Sequence, residues 1–152
     1  MVTSLAYLVT ILKNEFSNYC NGRLEEIGLT QGLLFFILYI GRKQTCSPKQ
    51  LTEALRMDAG YATRSLAKLE KEGFIIQAIN PKDRRARILE LTEQGKEAFA
   101  FSHELFYEWD AQIMKELDPQ QKEALLDSMQ QLLDRKNNEG CVRTHVERGV
   151  MR

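Results

Sequence analysis

Apolar residues recur at three- and four-residue steps in the first half of the chain, the spacing that brings side chains onto one face of an α-helix. The segment up to Asn21-Gly22, a pair suited to a helix C-terminus, predicts a first amphipathic helix with the stripe Leu5, Leu8, Leu12, Phe16 and Tyr19. The run LLFFILYI, residues 33–40, is apolar on nearly every side and predicts a central, buried second helix. Thr30 is positioned to cap this helix through its hydroxyl, and Gly41 is expected to end it.

Two further helices are predicted in close succession. Ser47-Pro48 has the form of an N-cap followed by proline in the first turn, and it predicts a short third helix with Leu51 and Leu55 facing inward. A fourth helix is predicted from about Ala59 to Glu72, with Gly73 ending it.

The fourth helix has two contrasting faces. Its inward stripe is predicted to be Ala59, Ala62, Leu66 and Leu69. The opposite face carries Gly60, Arg64, Lys68 and Lys71, flanked by Tyr61, Thr63 and Ser65.

The pattern then changes to that of a β-hairpin. FIIQAI, residues 74–79, is short and rich in β-branched residues, so it predicts a strand, and RILEL, residues 87–91, predicts the returning strand. Between them, NPKD has turn chemistry.

Two helices complete the pattern. Thr92 is expected to cap a fifth helix that runs through Phe99 to Leu117. Asp118-Pro119 repeats the cap-then-proline signal and predicts a sixth helix with Leu125, Met129, Leu132 and Leu133 on one side. The order of elements predicts a mainly α fold with a small β-hairpin wing, the winged helix-turn-helix.

Charge is distributed unevenly although the formal net charge is zero. Residues 42–96 contain twelve lysines and arginines against seven acidic residues, whereas residues 97–140 contain four against ten. Segregation of this kind predicts a polyanionic partner for the middle region alone.

Much of this positive charge lies at the hairpin tip, in Lys82, Arg84, Arg85 and Arg87. At the tip these side chains are too far from the core to stabilise it. Arginines inserted into a narrow minor groove are attracted by its negative potential. Asp83 would be unfavourable beside phosphates unless it fixes its neighbour, so we predict that it orients Arg85.

Several classes of function are disfavoured by the sequence. The longest apolar run has eight residues, whereas a membrane span needs about 20. Cys20, Cys46 and Cys141 are odd in number and lack metal-type spacing, which fits a reducing, cytoplasmic setting, and Cys46 is expected to be exposed. No phosphate-binding loop or nucleophile elbow is present, so the sequence predicts no enzyme and no cofactor. With only two histidines, His103 and His145, it also predicts no metal site.

Three segments resemble the MarR family of bacterial transcriptional regulators. DRRARILELTEQG, residues 83–95, is similar to that family's wing, with its Asp-x-Arg and Leu-Thr-x-x-Gly patterns. ATRSLAKLEKEGFI, residues 62–75, resembles its recognition helix, and GLTQGLLFFILYI, residues 28–40, resembles its second helix. The similarity covers roughly residues 5–137.

The resemblance implies an obligate homodimer that binds a near-palindromic site in double-stranded DNA. Residues 30–96 would form the DNA-binding region, residues 1–29 and 97–137 the dimerisation helices, and residues 138–152 a poorly ordered tail. The sequence supports dimerisation independently, because a flat layer of end helices would leave part of its apolar surface exposed to solvent. The apolar residues on these helices are Leu5, Leu8, Leu12, Trp109, Leu125, Met129 and Leu132.

The winged helix-turn-helix arrangement indicates which side chains meet DNA. Phosphate contacts are predicted for Thr30 and Gln31 at a helix N-terminus, and for Ser47 and Lys49. Base readout in the major groove is predicted for Tyr61, Thr63, Arg64 and Lys68, with the wing adding contacts from Lys82, Asp83, Arg84, Arg85 and Arg87.

Family members commonly bind small molecules between the dimerisation helices and the winged region, so a repressor relieved by a ligand is implied. Candidate lining residues are Tyr19, Phe36, Tyr39, Arg42, His103 and Trp109, for which ordinary core packing is the alternative. A second hypothesis keeps the fold and makes the dimer a protein-interaction or nonspecific architectural DNA-binding module, because fold alone does not determine function.

Overall fold

A computed structural model describes residues 3–138, so the predicted tail lies outside the described residues from Glu139 onward. The chain divides after Trp109 into two compact units. The elements in order are α1 (Leu5–Glu25), α2 (Gln31–Lys43), α3 (Pro48–Leu55), α4 (Ala59–Lys71), β1 (Ile75–Asn80), β2 (Asp83–Leu91), α5 (Glu93–Ile113) and α6 (Pro119–Asn138). The predicted mainly helical fold with one antiparallel hairpin is confirmed.

The predicted C-terminal ends of α1 and α2 are wrong. α1 continues through Asn21-Gly22 to Glu25, because this extension buries Leu24 one turn beyond the buried Cys20. Burial of one leucine contributes about 2 kcal/mol, which exceeds the cost of about 1 kcal/mol for a helical glycine. α2 likewise passes Gly41 and ends at Lys43.

Gly41 stays inside α2 because α5 approaches it closely. A Cβ at this position would overlap the ring of Phe99. Thr30 occupies the N-cap position of α2 as expected, but its hydroxyl makes no capping hydrogen bond.

The core of the winged region is built around α2, which is buried along most of its length as predicted. Leu51 of α3 and Leu89 of β2 also have no exposed surface. The remaining core members from α2, α4 and β1 are Leu33, Leu34, Phe36, Ile37, Ile40, Ala62, Leu66, Leu69 and Ile75.

α4 differs from its predicted stripe at two positions. Ser65 is buried, since it lies on the same face as Leu69 one turn later, and Ala59 is exposed, since it is the first residue of the helix. A tight joint connects α3 to α4, where Arg56 has a left-handed φ of 53° and the Met57 amide donates to the Thr52 carbonyl at 3.2 Å.

Local capping confirms the predicted starts of α3 and α6. Ser47 Oγ accepts from the Gln50 amide at 3.1 Å, and Gln50 Oε1 accepts from the Ser47 amide at 3.0 Å. Asp118 and Gln121 form the same reciprocal pair at the start of α6, at 2.8 and 3.0 Å. α5 ends at Ile113, so Leu117 lies beyond it.

The hairpin pairs Ile75 with Leu91 at its base and Ile79 with Arg87 near its tip. β2 begins at Asp83, four residues earlier than predicted, because a bulge between Ile79 and Asn80 lets the tip residues stay extended.

Cys46 is buried, contrary to the expected exposure, because its backbone forms a bridge with Leu89 of β2. The Leu89 amide donates to the Cys46 carbonyl at 2.7 Å, and the Cys46 amide donates back at 3.3 Å. The connector between α2 and α3 is therefore held against the wing.

The start of α5 is locked onto the turn between α4 and β1. Thr92 Oγ1 donates to the Gly73 carbonyl at 2.6 Å and accepts from the Gly95 amide at 3.1 Å. Gly73 has a φ of 89°, which favours glycine. A Cβ at Gly95 would overlap the carbonyl oxygen of Phe74, which explains the glycine of the Leu-Thr-x-x-Gly pattern.

Candidate DNA-binding surface

α4 presents an exposed, basic face away from the core. Arg64 and Lys68 are exposed, as predicted. A Cβ added to Gly60 would lie 3.2 Å from Arg64 Nη1, so the guanidinium reaches back along α4 toward its N-terminus. Thr63 Oγ1 donates to the Ala59 carbonyl at 2.9 Å, which leaves its lone pairs and its methyl group, rather than a hydroxyl proton, for a base edge.

Tyr61, which is predicted to read bases, is exposed on α4 but has its hydroxyl near α2. Its hydroxyl lies beside the first turn of α2, where a Cβ added to Gly32 would be 2.7 Å from it. The Tyr61 ring is also 6.2 Å from that of Phe36. Tyr61 thus joins α4 to the N-terminus of α2 instead of projecting along the outward face of α4.

The predicted phosphate-binding residues lie at the starts of α2 and α3. Thr30 is exposed at the N-cap of α2, and Gln31 is its first residue. Because the Thr30 hydroxyl makes no capping bond, it does not occupy the first-turn amides, which favour anions. Ser47 caps α3 with its hydroxyl oxygen, and Lys49 is exposed in the first turn.

The wing tip is held by two bonds from side chains to the backbone. Asn80 Oδ1 accepts from the Lys82 amide at 2.9 Å, and Asp83 Oδ1 accepts from the Arg85 amide at 3.0 Å. Asp83 therefore contacts the backbone of Arg85 rather than its guanidinium. The remaining predicted wing residues, Arg84 and Arg87, are exposed with the others.

The positive charge of these two elements is not neutralised by ion pairs within residues 3–138. Among residues 3–138, no lysine or arginine of α4 or the wing forms an ion pair. A surface of exposed cations without internal counter-charges favours a polyanionic partner.

The six predicted ligand-pocket residues lie in separate environments. Phe36 is fully buried, and His103 is exposed with its ring 6.2 Å from that of Phe99. Trp109 packs edge-on against Phe16 at 5.2 Å. Tyr39 is half-buried, and Arg42 is exposed at the end of α2.

Tyr19 belongs to a polar cluster that joins α1 to α5. Its hydroxyl donates to Glu108 Oε2 at 2.9 Å and accepts from Arg23 Nη1 at 3.0 Å. The Arg23 guanidinium also bonds to Glu108 directly and lies 5.0 Å from the centre of the Tyr19 ring. This hydrogen bond from Arg23 is the main cause of the lowered pKa of Glu108. The pKa of Tyr19 is raised, chiefly by burial.

A cavity of about 390 Å³ opens beside the C-terminus of α2, and it was not evident from the sequence because four elements contribute to it. Its lining residues are Ile40, Gly41, Gln44, Thr45, Glu90, Leu91, Lys96 and Phe99. None of the six predicted pocket residues is among them.

The two cysteines among the described residues, Cys20 and Cys46, are both buried. No group of potential metal ligands occurs within residues 3–138. Burial raises the pKa of both the Cys20 and Cys46 thiols, which disfavours the reactive thiolate, and Cys141 lies outside the described residues. No helix within residues 3–138 is long and apolar enough to span a membrane.

Two short helices joined by a tight turn, a basic outward face on the second and a basic hairpin define a winged helix-turn-helix DNA-binding protein. The chain belongs to the MarR family: the family model matches residues 29–86. It is 38% identical over 143 residues to the HTH-type transcriptional regulator BilQ of Clostridium symbiosum, covering 94% of this chain and 99% of that protein. The corresponding BilQ of Clostridioides difficile is 32% identical over 133 residues, covering 88% and 90%.

Solved structures of the same fold include two bound to DNA. A putative MarR family regulator from Listeria monocytogenes, complexed with 26mer DNA, gives a TM-score of 0.85 at 19% identity over 97% of both chains. A mutant MarR from E. coli, complexed with operator DNA, gives 0.73 at 24% identity, covering 85% of this chain and 93% of that one. The predictions of a MarR-type, DNA-binding transcriptional regulator and of a non-enzyme are confirmed.

Proposed function

We propose that this protein is a cytoplasmic homodimer that represses transcription by binding a near-palindromic operator, and that a small ligand relieves the repression. The observation that carries the proposal is the exposed basic face of α4, whose Arg64 and Lys68 have no ion-pair partner within residues 3–138. Guanidinium and ammonium groups on a helix of this kind can donate to guanine edges in the major groove.

Within this proposal, the contacts are divided between backbone and bases. Base readout falls to Arg64 and Lys68, with Thr63 offering an acceptor and a methyl group. Tyr61 moves to the phosphate-binding group, since its hydroxyl lies beside the N-terminus of α2. Phosphate contacts also come from Thr30, Gln31, Ser47 and Lys49. The wing residues Lys82, Arg84, Arg85 and Arg87 contact the minor groove and the phosphates at its edge, with Asp83 fixing the turn.

The dimer is proposed from apolar residues left open by a single chain. Leu5 is 54% exposed and Leu8 46% on α1, and the leucines of α6 at positions 125, 126, 132 and 133 are also exposed. Open apolar surface on this scale marks an interface. Residues 1–29 and 97–137 would then form the dimerisation helices around the DNA-binding region 30–96. Two-fold symmetry would set the recognition helices about 34 Å apart, one turn of DNA.

The ligand site is proposed at the cavity beside the end of α2. Its volume of about 390 Å³ suits a small molecule. The apolar side chains of Ile40, Leu91 and Phe99 are combined there with the polar groups of Gln44 and Thr45. A ligand in this position would touch α2, the connector, β2 and α5 together, so it could change the position of the wing.

Replacing Arg64 by alanine tests specific binding. On a preferred duplex, Arg64→Ala should lose roughly 1–3 kcal/mol of binding free energy. On scrambled DNA, the same substitution should change the binding free energy little. Lys13→Ala, on α1, provides a charge-matched control. Equal losses of Arg64→Ala on both duplexes would instead favour the nonspecific architectural module.

Salt dependence gives an independent measurement of the electrostatic contribution. If six to ten phosphates are contacted, affinity should fall by about three to five orders of magnitude between about 50 and 200 mM salt. A gel-shift assay on the DNA immediately upstream of the gene, with competitor DNA, would identify the operator. A flat salt response would contradict the proposal.

A further inference from the structure

The wing carries exposed apolar surface that neither the core nor the proposed dimer accounts for. Ile79 on β1 is 64% exposed, more than any of the exposed leucines of α1 and α6. Ile76, three residues earlier on the same strand, is 49% exposed. The proposed dimer surface lies on α1 and α6 and does not cover these two side chains of the hairpin.

Strand alternation separates these two isoleucines onto opposite faces of the hairpin. Ile75, Gln77 and Ile79 share one face, on which their cross-strand partners are Leu91, Leu89 and Arg87. At the base of the hairpin this face is core, since Ile75 and Leu89 are buried. Ile79 is therefore on the side of the wing that packs against the helices at its base, but beyond the reach of that core. Ile76 lies on the other face.

The surroundings of Ile79 identify the chemistry of a partner. Arg87 is its direct neighbour across the strands, and the bulge places Arg84 and Arg85 immediately beyond it. These exposed cations would repel the same wing of a second copy. A partner for this corner must combine negative charge with apolar surface at a spacing of one or two residues.

A DNA strand has this combination, because each phosphate is flanked by a deoxyribose whose C–H surface is apolar. α4 and the wing would occupy neighbouring grooves, and one sugar–phosphate strand separates those grooves. We propose that Ile79 packs against the deoxyribose rings of this strand while Arg87 binds the adjacent phosphate. The inference rests on the proposed function and adds to it an uncharged contact that sets the position of the wing.

The test compares Ile79→Thr with Ile76→Thr, because threonine keeps the β-branched shape that favours a strand and both positions are exposed. The probe is a duplex selected in vitro by the wild-type protein from a random library. Ile79→Thr should bind about tenfold more weakly, and Ile76→Thr should bind like the wild type. The slope of log affinity against log salt is negative, and it should be unchanged in Ile79→Thr. Arg87→Gln, which removes one phosphate contact, should reduce the magnitude of this slope by about one.

Hydroxyl-radical footprinting provides a second, direct measurement, because the radical attacks exposed deoxyribose hydrogens. Ile79→Thr should lose protection at one or two sugars beside the recognition-helix footprint in each half-site, while Ile76→Thr retains it. Wild-type affinity of Ile79→Thr, an equal loss in both variants, or an unchanged footprint would overturn the inference. If the wild type selected no duplex at all, the proposed function itself would fail instead.

Discussion

The winged region and the two end helices use leucine at the same helical spacing, with opposite results. In α2, α3 and α4 the inward residues are buried within one chain, as Leu34, Leu51 and Leu69 show. In the first half of α1 and along α6, the corresponding stripes remain open, as at Leu8 and Leu132. The winged region is thus complete in a single copy, whereas the end helices have apolar surface to bury elsewhere. A DNA-binding surface on α4 and the wing therefore rests on a closed core, whereas the proposed dimer would depend on protein concentration.

The largest expected effect comes from breaking the closed region at Gly95. In Gly95→Ala the new Cβ would overlap the Phe74 carbonyl oxygen, and rigid backbone on both sides leaves little room to relax. We expect a loss of about 3 kcal/mol in the free energy of unfolding, measured by urea denaturation at one fixed protein concentration.

Gly22→Ala is the matched control for that substitution. Gly22 lies inside α1 with no neighbouring atom within 4 Å of an added Cβ, so alanine should raise stability by about 0.5–1 kcal/mol. Similar destabilisation by both substitutions would contradict the close packing assigned to the start of α5.

The next effect comes from placing charge on the open stripe of α1. Leu8→Glu should be tolerated by the single chain, because Leu8 is already 46% exposed, but it should prevent a second copy from packing there. Sedimentation should show a monomer, and loss of two-point attachment should weaken operator binding by about a hundredfold or more.

Asn14→Glu is a suitable control for Leu8→Glu. It adds the same charge to an exposed polar position, about 120° around the helix from Leu8. A persistent dimer in Leu8→Glu would mean that the interface lies on another surface.

The sequence was sufficient where neighbours in the chain determine the outcome. The caps at Ser47 and Asp118, the buried stripe of α2 and the hairpin all follow from local spacing and turn chemistry. The predicted C-terminal end of α1 was wrong because the burial of Leu24, a tertiary effect, overrides the turn signal of Asn21-Gly22.

The candidate site was less accessible to sequence reasoning for the same physical reason. The outward face of α4 follows from periodicity, so Arg64 and Lys68 could be chosen correctly as exposed cations. The position of the Tyr61 hydroxyl beside Gly32 depends on how α4 crosses α2, and burial of Cys46 depends on its bridge to Leu89. Contacts between elements distant in sequence leave no periodic signal.

A smaller effect on DNA affinity is expected at the wing tip, which is the part of the winged region that lies outside the hydrophobic core. Asp83→Ala removes the acceptor that fixes the Arg85 amide, and one hydrogen bond of this kind contributes about 1 kcal/mol. Operator affinity should therefore fall roughly fivefold, although a negative charge has been removed next to phosphates.

Asp83→Asn separates geometry from charge at this position. Asparagine keeps an oxygen acceptor for the Arg85 amide and removes the charge, so its affinity should equal or exceed that of the wild type. Tighter binding by Asp83→Ala in the same gel-shift assay would show that the turn needs no such bond.

The smallest effect concerns α1, whose second half is packed against the rest of the chain while the apolar stripe of its first half is exposed. Glu108 of α5 accepts hydrogen bonds from Arg23 and Tyr19, and the bond from Arg23 is the main cause of its lowered pKa. A carboxylate with a lowered pKa in the folded state contributes stability above its unfolded pKa of about 4.3, and this contribution is lost as pH falls through the folded value. The urea midpoint of Glu108→Gln should therefore be below that of the wild type at pH 7, and the difference should vanish in acid.

Glu104→Gln is the control, because Glu104 is exposed one turn earlier on α5 and forms no ion pair among residues 3–138. Its urea midpoint should show no such convergence with that of the wild type. A constant difference for Glu108→Gln across the whole pH range would mean that packing of its side chain, rather than its charge, joins α5 to the closed half of α1.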